Sequence, residues 1–106
     1  MSEAFEIQEI LRKAVSERSY AEFLRVPAMS AGIYRLAAGA ADLQKPHEED
    51  EIYFVIRGKA KMQIGSQHRG VSEGLVIFVE ARVDHRFYDI EHELVLLVIL
   101  APAESS

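Results

Sequence analysis

The spacing of hydrophobic and polar positions changes near residue 20. Before it, Ile7, Ile10, Leu11, Ala14 and Val15 follow the i, i+3, i+4, i+7, i+8 spacing of one apolar face. That period predicts an amphipathic helix over residues 3–16. Ser2 stands at the N-cap position, and Glu3 and Glu6 lie where the helix dipole favours negative charge. Arg12, Lys13 and Arg18 lie toward the opposite end, and Glu9–Lys13 is an i,i+4 pair in the favourable order. After residue 20 the pattern becomes alternation and short apolar runs between turn formers. It predicts strands over 23–26, 29–37, 47–57, 59–64, 68–71, 75–79, 85–89 and 94–101. Tight turns are expected at Arg57-Gly58, Gly65–Gln67, Ser72–Gly74 and residues 90–93. Turn signals at this spacing indicate an antiparallel sandwich or barrel. The expected fold class is all-β, a small antiparallel barrel or jelly roll with an N-terminal helix in residues 1–20 and the barrel in 21–106.

One stretch organises the rest. Between Gly39 and Gly58, Pro46 keeps Lys45 extended, and the period of two then places His47, Glu51, Tyr53 and Val55 on one face. Ile52, Phe54 and Ile56 take the other face. Both faces are apolar, so the strand is expected to be buried on both sides. An imidazole and a carboxylate at one end of it form half of a metal site. The acidic run Glu48-Glu49-Asp50 reads as an exposed loop. Met29 and Met62 read as packing, and His68 and His92 as surface residues in turns.

Composition narrows the picture. The 106 residues make one domain, with 12 basic and 17 acidic side chains and a net charge of -5. That balance argues against nucleic-acid or anionic-membrane partners. There is no cysteine, which removes disulfides and thiolate ligands. The longest apolar run, Leu94 to Ala101, is far short of the ~20 residues a membrane span needs. No basic-then-apolar leader is visible, and a cytoplasmic location is expected.

The glycine and histidine spacings carry a family resemblance. Gly39, five residues, Lys45, Pro46, His47, three residues, Glu51, six residues, Gly58 is similar to the first motif of the cupin superfamily. Gly74, five residues, Glu80, Ala81, Arg82, two residues, His85, three residues, Asp89 is similar to the second. The 15 residues between Gly58 and Gly74 match a compact single-domain cupin, and the likeness covers residues 22 to 101. Lys45 stands where most metal cupins have their first histidine. Glu80 and Arg82 replace the turn's proline and glycine, and Asp89 replaces asparagine. The resemblance implies a metal held by His47, Glu51 and His85. Lys45 is a poor ligand while protonated, so it is free to bind an anionic substrate, and Gln44 is a possible fourth ligand. Two imidazoles and a carboxylate suit Fe, Mn, Ni or Zn and leave positions open. Tyr53 and Phe87 share faces with the ligands and are the candidate substrate contacts beside Lys45. Asp89 reads as a rim residue.

The implied function is a small-molecule metalloenzyme of the dioxygenase, isomerase or lyase class, acting on a small polar or anionic molecule. The alternative is a non-catalytic small-ligand binding or sensing cupin, with or without metal; without metal, His47 and His85 are core histidines. A homodimer is implied by the apolar helix, the apolar strands and the family.

Overall fold

The computed structural model describes residues 3–13, 18–42 and 45–105. The expected N-cap Ser2, the helix positions Ala14 and Val15, and Gln44 lie outside those residues, as do the side chains of Lys13 and Arg18. One helix, α1 (Ile7–Lys13), precedes six strands: β1 (Arg18–Val26), β2 (Met29–Leu36), β3 (Asp50–Ile64), β4 (Gln67–Ser72), β5 (Val76–Val79) and β6 (His85–Ala101). All pair antiparallel, in the order β1-β2-β6-β3-β4, with β5 also on β3.

The helix starts later than its period predicts. Glu6 O accepts from the backbone N of Glu9 and Ile10, so the first turn begins there. Residues 3–6 are not helical, and the Phe5 ring packs on Phe23 of β1 at 4.8 Å. That contact ties the segment to the sheet. Glu9 pairs with Arg12.

Eight predicted strands become six because two expected turns are bulges. At Gly58 the chain continues as one strand, with register shifts between Val55 and Lys61. Gly58 has φ +114, and a Cβ there would meet Glu93 O at 2.4 Å and Leu94 Cα at 2.7 Å. Only glycine lets β6 approach this closely. Likewise residues 90–93 do not turn; β6 runs through them, bent at Asp89 with φ +47. Bulges bend and twist a strand, which is how one sheet wraps both halves of β3 around a single core. Tyr53, Val55, Ala60 and Met62 of β3 share that core with Tyr34, Leu36, Val71, Ile77, Phe87, Leu94, Leu96 and Leu100. A second cluster lies on the outer face, where Leu11, Ile7 and Ile10 of α1 cover Ile33, Val95 and Leu97.

The strand through Glu51 is buried on one side, not two. Glu51, Tyr53 and Val55 point inward, while Ile52 and Phe54 are exposed. The run Leu75–Val79 is one-sided too, with Val76 and Phe78 outward. A continuous apolar run therefore did not mean two buried faces here. His68 and His92 are exposed as expected, yet they sit in β4 and β6, not in turns. Met62 is fully buried, whereas Met29 is exposed.

Candidate metal centre

Two loops meet at one end of the barrel. His47 lies in the irregular segment just before β3, and His85 opens β6. Arg82 N donates to His47 O at 2.7 Å, and Ala81 N to Asp50 Oδ1 at 2.9 Å. Arg82 holds φ +66, so it adopts the backbone that glycine usually supplies at this turn. Glu51 faces inward from β3, fixed in register with Leu100 on one side and Val79 on the other.

The ligand atoms of His47, Glu51 and His85 all lie within 4.8 Å of one another. Glu51 Oε1 is 3.2 Å from His85 Nε2 and 3.9 Å from His47 Nε2. His85 Nδ1 lies 2.9 Å from Val83 O; as the donor there, the ring leaves Nε2 for the site. Burial favours neutral His85, but the Glu51 carboxylate, Val83 O and the Asp42 charge outweigh it and raise its pKa above 6.5. Side-chain exposure is 2 % for Glu51 and 1 % for His85 against 19 % for His47, so the site opens on the His47 side.

The donor set fits a metal ion. Glu51 Oε1 is buried with no hydrogen-bond partner among the described residues, and an orphaned buried carboxylate oxygen is costly unless a cation faces it. Donors on one ion at about 2.1 Å stand at most about 4.2 Å apart. Small side-chain rotations of a few tenths of an ångström bring the widest pair into that range.

Around the three ligands, Tyr53 Oη lies 3.0 Å from His85 Nε2. The Phe87 ring stands edge-on to Tyr53 at 5.1 Å. Both rings are buried. Lys45 is exposed two positions before His47. A cavity of about 240 Å³ is lined by Asp42, Gln63, Asp84, His85 and Arg86, and sequence reasoning singled out only His85 of these. Asp42, in an unpatterned loop, accepts from Tyr34 Oη at 3.1 Å and Phe87 N at 2.9 Å. Asp89 is an exposed residue 3.6 Å from Lys61 Nζ.

The acidic run is not uniformly exposed. Glu49 is buried, and its Oε2 accepts from Ser105 N and Oγ. Beside it, Glu104 Oε2 lies 3.3 Å from His47 Nδ1. Burial pushes the Glu104 carboxyl above the usual range; His47 lowers it, and Glu49, Glu51 and Glu22 raise it further. Neither residue carried a periodic or motif signal.

The Cupin_2 family model, a cupin domain, matches residues 32–100. The chain belongs to the cupin family. This cupin is 42 % identical over 103 residues to an uncharacterized protein of Streptomyces coelicolor, covering 96 % of the chain and 98 % of the relative. Its fold is similar to that of the protein TT1209 from Thermus thermophilus, with TM-score 0.79 and 22 % identity over 96 % of this chain and 99 % of that one. A Klebsiella pneumoniae protein with a double-stranded β-helix domain gives TM-score 0.80 at 16 % identity, over 96 % and 91 %. The sheet described above is thus the cupin double-stranded β-helix with a short N-terminal helix. His47 before β3, Glu51 in β3 and His85 at the start of β6 form the kind of group cupins use for metals.

Proposed function

We propose that this cupin holds a divalent transition metal (Fe, Mn, Ni or Zn) through His47, Glu51 and His85, and acts on a small polar or anionic molecule. The observation that carries the reading is Glu51 Oε1, buried without a hydrogen-bond partner among the described residues and facing two imidazole Nε2 atoms. When bound, such an ion supplies Lewis-acid polarisation of a ligand oxygen. The chain supplies the rest. Tyr53 holds a proton at Oη, 3.0 Å from His85 Nε2, and a phenol so placed suits proton transfer to or from a bound molecule. Lys45, exposed two positions before His47, offers a cation for an anionic group. The active form is a homodimer, supported by the uncovered apolar strand face.

A metal-free binding role is the second reading. It is favoured by the raised pKa of His85, since an imidazolium beside Glu51 satisfies that carboxylate without an ion. Metal content and thermal shift separate the two. Titration with Mn²⁺, Ni²⁺ or Zn²⁺ is expected to stabilise the wild type by about 2.7 kcal/mol at a hundredfold excess over Kd. His47→Ala and His85→Ala are expected to abolish that shift. Equal metal uptake by wild type and both variants would mean the site is misassigned.

A further inference from the structure

The C-terminal tail folds back over the end of the barrel that carries His47. Ala103 N donates to Pro27 O at 3.3 Å, and Glu104 N to the buried Ser30 Oγ at 2.9 Å. Arg25 Nη2 donates to Glu104 O at 2.9 Å. Ser105 donates twice to the buried Glu49 Oε2, from N at 3.2 Å and from Oγ at 2.9 Å. Both polar backbone groups of Glu104 are therefore held, and its side chain is aimed by the fold. Its Oε2 reaches 3.3 Å from His47 Nδ1, while the other ring nitrogen of His47 looks toward Glu51.

We propose that Glu104 is a positioning residue for His47, keeping the proton on Nδ1 and presenting Nε2 to Glu51 and His85. The inference rests on the metal reading above for its purpose, but its geometry stands on the tail alone. A ligating histidine generally gives its outer N–H to a carboxylate or a carbonyl, which fixes the ring and raises the basicity of the inner nitrogen. His85 meets that requirement with Val83 O. His47 sits in the irregular segment before β3, and the anchored tail brings a carboxylate to its outer ring nitrogen. An incidental surface pair would not explain the anchoring on either side of Glu104. Ser30 and Glu49 are both buried polar groups, and both take up donors from the tail.

Two readouts on the full chain test this, with Glu104→Ala and the isosteric Glu104→Gln. The first is the pair of His47 imidazole nitrogen shifts in the metal-free protein at alkaline pH. The wild type is expected to show the Nδ1–H tautomer, Glu104→Ala to lose that preference, and Glu104→Gln, whose amide oxygen still accepts, to keep most of it. The second is Co²⁺ affinity from the cobalt absorption bands, expected to fall about 10–100-fold in Glu104→Ala. A purely structural tail would change the melting temperature and leave the tautomer alone. Unchanged His47 nitrogen signals in Glu104→Ala overturn the proposal. If the tautomer shifts as expected yet the wild type binds no Co²⁺, positioning stands and the metal reading fails. If Co²⁺ binds wild type and Glu104→Ala alike through His47 and His85, the metal reading stands and positioning fails.

Discussion

Glu51 is the side chain on which the chemistry turns. An ionised carboxylate 2 % exposed costs several kcal/mol unless a positive partner meets it. Without metal, that partner is His85, whose folded pKa lies above the unfolded 6.5. A raised histidine pKa contributes stability that is complete below the unfolded value and lost as pH rises through the folded one. The metal-free protein should therefore melt at progressively lower temperature as pH is raised from about 6, and His85→Gln should flatten that slope. Excess Zn²⁺ should reverse it, because metal binding favours neutral imidazoles and strengthens as protons leave. A wild-type melting temperature that climbs across this range without metal would contradict the His85–Glu51 pairing. His47 and Glu51 were legible as a pair four residues apart, and His85 through the spacing of the second cupin-like motif. The expected strand over 47–57 placed Glu51 on its inward face but not His47, because β3 begins only at Asp50. Glu104, Glu49 and Ser30 were not legible. Their partners lie 56 to 74 positions away, and a polar tail after Pro102 has no period to place it.

Among the elements, β3 and β6 do most to build the site, since they carry Glu51 and His85 and pair along nearly their whole length. Their bulges were read from sequence as turns because glycine and polar residues interrupt the apolar pattern in both cases. What decides between a turn and a bulge is whether another strand continues alongside, which is a long-range fact. Gly58 shows the energetics. A side chain there would be strained at φ +114 and would collide with backbone of β6, whereas Gly39, with φ +78, has nothing within 4 Å of its added Cβ. Gly58→Ala should cost about 2–5 kcal/mol, from strain plus overpacking. That is a fall of at least about 10 °C in melting temperature for a domain this small. Gly39→Ala should cost only about 1–2 kcal/mol, from strain alone. Equal losses in the two variants, measured by thermal unfolding, would show that β6 yields at Gly58 and that the close approach is not a constraint.

At the scale of the whole molecule, the sheet has an apolar outer face that α1 covers at one end only. Phe78 pairs with Ile52, and Ile52 with Ile99; Val76 pairs with Phe54, and Phe54 with Leu97. The helix lies over Ile33, Val95 and Leu97. Beyond it, Ile52, Phe54, Val76 and Phe78 remain 40, 37, 61 and 58 % exposed. Together they present roughly 300–400 Å² of apolar surface, taking about 150–200 Å² for each full side chain. A stable interface buries about 800 Å² per partner, with an apolar core and a polar rim. The patch is the right size for such a core, and an isologous two-fold pairing needs only this one surface from each chain. The expected occupant is therefore a second copy, with strand face against strand face. Sedimentation velocity at tens of micromolar should give twice the chain mass for the wild type. Phe78→Glu, which places two like charges across the two-fold, should give single chains with the His47–Glu51–His85 geometry intact. A wild type that sediments as a single chain, or a Phe78→Glu dimer as tight as the wild type, would rule out this face as the contact.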